Sequence, residues 1–390
     1  MSDRRLTVCQ LLLTLQFGGA EIMAARIARR LSGPHRIIFA CLEELGQLGE
    51  QLRADGFPVQ VLGKRPGVDL RAAHRLRRLL HRERVDLIHA HQYGPFFYAA
   101  LSRLPSGRLP VVLTEHGRSF PDPARPSHVL ANPWLLRRHD RLFAVGRSVR
   151  QALIEVEGFP AARIELIYNG IDTDAFAETA RGRAIVRREL GIADDDFVVV
   201  QAARLDPIKD HATALRAAGR VAGQCGCLRL VIVGDGPEAG PIEAMVRDWG
   251  LGTHVLRLGL RRDIPRLLGA ADAVLLSSLS EGIPLSLIEG MAASLPVVAT
   301  RVGGVSEVVV EQETGLLAPA GDDEALAAHL IRLAGDPGLR MRMGWAGRER
   351  AWALFSEDRM VAEYDRIYHE VTTRTASGVW QGQTSTARGA

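Results

Sequence analysis

With 390 residues, 47% hydrophobic and 24% charged, the chain has length for two domains and a composition that excludes a mainly disordered or fibrous protein. Four cysteines are too few for a disulfide framework and read as reduced thiols, and no apolar run reaches the ~18–20 residues of a membrane span. The net charge of +4 hides an asymmetry: residues 1–170 carry 25 Lys+Arg against 15 Asp+Glu, and residues 171–390 carry 24 against 30. A basic first half favours phosphates or an anionic membrane leaflet, and no nucleic-acid partner is expected. The opening Met-Ser-Asp-Arg-Arg leads into a strand rather than a signal peptide, so a cytoplasmic location is expected.

Short apolar runs alternate with amphipathic stretches, the pattern of parallel α/β units. Strands are expected at Leu6–Leu13, His35–Ala40, Pro58–Val61, Leu87–His89, Pro110–Thr114 and Arg141–Val145, with a helix over Ala20–Leu31. A second helix, Leu70–Arg84, sets Leu70, Ala73, Leu76, Leu79 and Leu80 on one face and arginines on the other. After the charged stretch Glu178–Asp196 a second series starts, with strands at Phe197–Ala202, Leu228–Val233, His254–Leu258, Ala273–Leu276 and Pro296–Ala299. From Asp322 the sequence reads as helical, ending in a Ser/Thr/Gly/Gln-rich stretch, Thr372–Ala390, expected to be a disordered tail. Two doubly wound α/β domains facing across a cleft follow, divided near residues 170 and 171, with ligands beyond the carboxyl ends of the strands.

The most informative segment is Glu281-Gly-Ile-Pro-Leu-Ser-Leu-Ile-Glu289, between a strand and a helix. It sets one carboxylate at the helix mouth and a second about one turn inside, with the first-turn amides of Leu285 and Ser286 available to phosphate oxygens. Paired carboxylates suit the recognition of sugar hydroxyls. Arg204 and Lys209 follow the strand Phe197–Ala202 and offer a forked donor and a point charge for a diphosphate; Lys209 is one of only two lysines beside 47 arginines. Gly18-Gly19 joins the first strand to its helix, where glycines permit positive φ and a close ligand approach. His116, after the strand Pro110–Thr114, stands at the cleft rim, where an imidazole can bond a sugar hydroxyl or polarise a leaving group. His89 and His91 lie on an adjacent strand end without the helical spacing or carboxylates of a metal site. Asp172-Thr-Asp174 reads as turn and cap residues rather than a metal motif, and Cys225-Gly-Cys227 as incidental.

Together these segments resemble glycosyltransferase family 4, the retaining transferases of the GT-B type, over about residues 5–370. The resemblance rests on Gly18-Gly19, His116-Gly117, Asn169-Gly170-Ile171-Asp172, Arg204 with Lys209, Gly234-Asp-Gly-Pro237, Glu281 to Glu289 and Gly303-Gly304-Val-Ser-Glu307. It implies a nucleotide-sugar donor, UDP- or GDP-linked, on the second domain and a glycan or lipid-linked acceptor on the first. Arg204, Lys209 and the Leu285 and Ser286 amides would hold the diphosphate, Glu289 the ribose hydroxyls and Glu281 the transferred sugar. His116 would face that sugar, and Gly19 would approach the phosphates. A last helix near Glu357–Glu370 would cross back onto the first domain, with neither metal nor cofactor required. Pro284, where many relatives have Gly, removes one backbone donor.

Two other readings keep the same residues: a nucleotide-sugar epimerase of related fold, which needs no acceptor, and an idle nucleotide-sugar-binding partner, which has no chemical reason to keep His116, Arg204, Lys209, Glu281 and Glu289 together. The basic first half adds an expected peripheral-membrane face along Arg71, Arg75, Arg78 and Arg82. The proline-rich Arg118–His128 stretch is expected to gate the acceptor.

Overall fold

The structure, a computed structural model, describes residues 4–105, 107–117, 126–176 and 182–377. The first sheet contains β1 (Thr7–Leu12), β2 (Arg36–Cys41), β3 (Val59–Val61), β4 (Leu87–His91), β5 (Val111–Glu115), β6 (Arg141–Ala144) and β7 (Ile164–Leu166), all parallel, in the order β3-β2-β1-β4-β5-β6-β7. The second contains β8 (Phe197–Ala202), β9 (Leu228–Val233), β10 (Val255–Arg257), β11 (Ala273–Leu276), β12 (Val297–Thr300) and β13 (Gly315–Ala318), also parallel, in the order β10-β9-β8-β11-β12-β13. Central strands such as β4, β5 and β11 are buried along their whole length; β11 is accordingly an unbroken apolar run, whereas β4 and β5 end in buried polar residues, His89, His91, Thr114 and Glu115. In each sheet the order reverses beside the first strand, between β1 and β4 and between β8 and β11. The chain leaves the strands there into the loops that carry the site.

The expected strands form within a few residues of their predicted ends. β7 and β13 are not among the expected strands; β7 is an edge strand with two of its residues exposed, and β13 is the edge strand of the second sheet. The basic helix runs Leu70–Arg82, starting after Asp69, whose side chain caps it. It buries Ala72, Ala73, Leu76, Leu79 and Leu80, whereas Leu70, its first residue, is 68% exposed and does not belong to the apolar face.

Beneath the first sheet Arg103 and Asp140 form a fully buried fork, with Nη1–Oδ1 at 2.6 Å and Nη2–Oδ2 at 2.9 Å. The carboxylate also accepts the backbone amides of Val111 and Arg137, so both oxygens are satisfied in a dry site.

The last helix, Glu357–Ser377, returns to the first domain. Its Met360, Val361, Tyr364, Ile367, Tyr368 and Val371 recur at helical spacing and complete the core formed by Leu12, Phe39 and Phe143. This helix takes in Thr372–Ser377, the start of the expected tail, and residues 378–390 lie outside the described residues. The chain crosses between domains twice at one place, where Ile171 N–H donates to Phe355 O (2.9 Å) and Glu357 N–H to Ile171 O (2.8 Å).

Cys9 and Cys41 are buried thiols, as expected. Cys225 and Cys227 are instead joined by a disulfide, which corrects the reading of four reduced thiols: one intervening glycine lets the two Cα atoms lie 5.3 Å apart. Among the described residues no helix is long and apolar enough to cross a membrane.

Candidate active site

On the second domain, the loop after β11 leads into the helix Leu285–Ala292, with Pro284 at its N-cap. Lys209 Nζ lies 2.6 Å from Glu281 Oε1, and Ser278 Oγ donates to the same oxygen at 2.6 Å. The loop carrying Lys209 is tied down by Ser277 Oγ, which donates to the carbonyls of Lys209 and Asp210 at 2.9 Å. The first helical amides, those of Leu285 and Ser286, precede the Leu287 N–H to Pro284 O bond and so have no intrahelical acceptor. Glu289 sits one turn inside. Burial pushes its carboxyl up to about 7, with the charge of Arg26 from the first domain pulling the other way.

Arg204 stands 71% exposed on the loop after β8, 3.7 Å from Asp206, and is free to reorient onto an anion. Gly234 (φ 143°) supports this loop from below: a Cβ there would meet Ala203 O at 1.9 Å, so only glycine fits. The Gly234-Asp-Gly-Pro237 turn is therefore a prop for the cation loop, with Leu205 N–H donating to Asp235 O.

On the first domain, His116 and Gly117 follow β5 and approach the second domain closely. A Cβ on Gly282 would meet His116 O at 2.8 Å. Burial pushes the His116 imidazole down to about 4, partly offset by the neighbouring Asn169 side chain; its Nδ1 is buried and makes no hydrogen bond of normal geometry. Gly18 is the N-cap of the first helix and is extended (φ −152°), so positive φ is not what that glycine pair provides. Gly19 has nothing within 4 Å of where a Cβ would stand, and the helix N-terminus is open there.

His89 and His91 are hydrogen-bonded beneath His116, His89 Nδ1 to Tyr368 Oη at 2.7 Å and His91 Nδ1 to His116 Nε2 at 2.9 Å, and burial holds both imidazoles well below the usual histidine range. Among the described residues, His35, Asp365 and His369 bring ligand-type atoms within 4.8 Å of one another. There His35 Nδ1 accepts the Leu6 N–H, so Nε2 carries the proton and donates to Asp365 at 2.7 Å, a fastening for the last helix. Asp172 accepts from the Asp174 and Ala175 amides, the cap role expected of it.

Two family models match consecutive parts of the chain: "Glycosyltransferase Family 4" over residues 17–175 and "Glycosyl transferases group 1" over residues 182–350. The chain belongs to glycosyltransferase family 4. It is 28% identical over 80% of its length to N-acetyl-alpha-D-glucosaminyl L-malate synthase of Bacillus anthracis, covering 82% of that protein. It is 28% identical over 69% of its length to UDP-Gal:alpha-D-GlcNAc-diphosphoundecaprenol alpha-1,3-galactosyltransferase of Escherichia coli, covering 71% of it. Among solved structures, HepE of Anabaena in complex with UDP and glucose superposes with a TM-score of 0.80 at 24% identity, over 93% of this chain and 99% of that one. The fold is GT-B and the protein is a glycosyltransferase, an enzyme of class EC 2.4.

Within this family 4 enzyme the structure brings Lys209, Glu281 and the Leu285–Ser286 amides to one cleft wall, opposite His116. Several site residues have no local signal in the sequence. Ser278 fixes Glu281, the charge of Arg26 acts on Glu289 from the other domain, and Glu307 accepts the Arg147 and Ser148 amides at 2.7 and 3.1 Å across the cleft. Glu307 was noted only as part of Gly303-Gly304-Val-Ser-Glu307. Residues 118–125 of the expected acceptor gate lie outside the described residues.

Proposed function

We propose that this enzyme is a retaining glycosyltransferase that moves a sugar from a UDP- or GDP-sugar to a glycan or lipid-linked acceptor of bacterial surface polysaccharide, without a metal ion. The observation that carries the reading is the Lys209–Glu281 contact at 2.6 Å beside two unpaired first-turn amides. Cations and N–H groups aimed at one spot stabilise the charge that develops on a departing nucleoside diphosphate, the work Mg²⁺ does elsewhere. Lys209 and Arg204 hold the phosphates, Glu289 accepts from ribose hydroxyls, and Glu281, held against Lys209, offsets charge on the oxocarbenium-like sugar. The sugar C1–O bond to phosphate breaks, and C1 bonds to an acceptor oxygen on the same face. The departing phosphate oxygen takes the acceptor's proton. UDP bound to HepE and the UDP-Gal and diphosphoundecaprenol in the name of the Escherichia coli relative support donor and acceptor of these classes.

The enzyme works at the cytoplasmic face of the membrane, held peripherally. The exposed arginines Arg71, Arg75, Arg78 and Arg82 support this, spaced to form one stripe of the helix Leu70–Arg82.

The test is a thermal-shift screen of wild type and Lys209→Ala against UDP, GDP, ADP and their sugars, with and without Mg²⁺. The anomeric configuration of any product is then read by NMR. A rise in Tm with one nucleotide family, independent of Mg²⁺ and lost in Lys209→Ala, is expected. No shift with any nucleotide, or an inverted product, would overturn the proposal.

A further inference from the structure

The Lys209–Glu281 pair rests on a layer of four polar side chains, Gln201, Ser277, Ser278 and Thr300, all fully buried. They stand at the carboxyl ends of three neighbouring parallel strands: Gln201 in β8, Ser277 and Ser278 directly after β11, and Thr300 closing β12. Gln201 Nε2 donates to Ser277 Oγ at 3.0 Å, and that hydroxyl donates to the carbonyls of Lys209 and Asp210, both at 2.9 Å. Thr300 Oγ1 donates to Ser278 O at 2.6 Å, and Leu279 N–H to Ile208 O at 2.8 Å, which joins the loop that carries Lys209 to the loop that carries Glu281. Ser278 Oγ ends the layer on Glu281 Oε1.

The direction of these bonds follows from counting protons. A serine hydroxyl has one proton and two lone pairs, and Ser277 Oγ has three neighbours. The two carbonyls only accept, so the proton goes to them, shared, and Gln201 presents an N–H to a lone pair. Turned over, the Gln201 amide would set a third acceptor around the one proton and draw it away from the loop. The held carbonyls flank a special place in the backbone. Asp210 is left-handed (φ 44°, ψ 55°), a conformation uncommon outside glycine, and it joins the short turn Pro207–Lys209 to the helix His211–Ala222. Ser277 thus grips the peptide groups on both sides of the kink that aims Lys209.

We propose that Gln201 and Ser277 are positioning residues that hold the left-handed turn at Asp210, so that Lys209 Nζ is set against Glu281 before a donor arrives. Fully buried, neither side chain touches the donor; both act through Lys209. The pre-set pair stands on the hydrogen bonds alone, and only its part in holding a departing diphosphate rests on the transferase reading. A cation already in place stabilises charge as it develops on the leaving group and needs no rearrangement at that moment. Loosening its support therefore costs turnover more than donor binding.

Lys64 and Lys209 are the only lysines of the chain, so ¹³Cε-labelled lysine reports on each of them in the full-length protein without any substrate. In the wild type the two Hε protons of Lys209 are expected at different shifts, as in a side chain held in one rotamer. Ser277→Ala removes the donor to both carbonyls and should merge them, while Lys64, paired with Glu43 at 2.9 Å, stays as it was. Ser277→Thr keeps the hydroxyl and should keep the two shifts apart. If Ser277→Ala does not fold, Gln201→Met, which keeps the length of the side chain without its N–H, takes its place. Merged Lys209 shifts in the wild type, Lys209 shifts unchanged in the variant, or equal changes at Lys64 and Lys209 would overturn the proposal. In the transfer assay Ser277→Ala should lower kcat by roughly 10–100-fold with KM for the donor nearly unchanged, and Ser277→Thr should retain kcat. A fall in donor affinity with kcat intact would assign Ser277 a merely structural part. If no donor supports transfer, the transferase reading fails, while the lysine spectra still decide whether the pair is pre-set.

Discussion

Glu307 accepts the backbone amide of Arg147 at 2.7 Å, so a carboxylate of the second domain caps a helix, Arg147–Glu155, of the first. The same carboxylate takes the Ser148 amide (3.1 Å) and the Tyr168 hydroxyl (3.2 Å), while Arg350 holds the Glu307 carbonyl at 2.7 Å. The bonds across the cleft exist only while the two domains stand close, and the negative charge at a helix N-terminus adds to them. Glu307→Ala should therefore loosen the closed arrangement by roughly 0.5–2 kcal/mol. Small-angle scattering is expected to show a larger radius of gyration, with each domain still folded by circular dichroism. An unchanged radius would mean that other contacts hold the cleft shut.

Lys209 and Glu281 depend on one another. Removing Lys209 deprives a carboxylate whose side chain is only 9% exposed of its cation, and it removes a charge from the proposed diphosphate site. Lys209→Ala should weaken UDP or GDP binding by roughly 10–100-fold, the equivalent of about 1.4–2.8 kcal/mol, read by titration calorimetry. Glu281→Gln keeps the shape and one acceptor oxygen; it should spare nucleotide binding and lower turnover. Equal loss of binding in both variants would remove the distinction between a phosphate holder and a sugar holder.

Glu289 gives a pH dependence whose sign follows from its environment. Its carboxyl titrates near 7 in the fold instead of near the usual 4.5, because burial disfavours the charged form. Between these values the folded chain binds a proton that the unfolded chain has released, so stability falls as pH rises and the loss is complete above about 7. Glu289→Gln should cancel this slope, gaining on the order of 1–3 kcal/mol over wild type between pH 5 and pH 8 in denaturant titrations. Nucleotide binding should move the other way, tightening as Glu289 ionises and accepts two ribose hydroxyls. Parallel pH profiles for wild type and the Gln variant would refute the assignment.

The buried Arg103–Asp140 fork predicts a purely structural effect. Asp140→Ala strands a guanidinium in a dry site and should cost about 3–5 kcal/mol, well beyond a typical surface substitution. Thermal melts check it, and a loss below about 1 kcal/mol would show that water enters the site.

The arginine stripe predicts salt-sensitive membrane binding. Arg75 is partly committed, since its guanidinium donates to the carbonyls of Leu62 (2.6 Å) and Gly63 (3.0 Å), so Arg71 and Arg78 are the residues to change. Arg71→Glu with Arg78→Glu should reduce co-sedimentation with anionic vesicles at low salt and leave the thermal melt unchanged. Equal binding to neutral vesicles, unaffected by salt, would count against the face.

The two sheets were legible because parallel strands buried on both sides write long apolar runs, as in Leu228–Val233, whose ends are the same in sequence and structure. The places of Arg204 and Lys209 after β8, and of the Glu281–Glu289 segment after β11, were legible because those strands were. What escaped were relations between distant residues. Lys209 and Glu281 are 72 positions apart, Arg147 and Glu307 are 160, and Gln10 and Tyr368 are 358. No local period records which loop meets which across a cleft. The exposed Leu70 failed for a related reason: periodicity places a residue on a face, but at the first helical position nothing packs over it.

The first domain takes Tyr364 and Tyr368 from a helix that begins at residue 357, after the whole second domain. Synthesis from the N-terminus therefore makes this domain first and completes it last. Until residue 371 has left the ribosome, one face of the sheet around Phe39 and Phe143 stays uncovered, and Gln10 and His89 lack their phenol partner. The cleft wall that carries His116 is thus completed only after the whole second domain has been made, and a nascent chain released before the last helix would present that second domain to an unfinished partner.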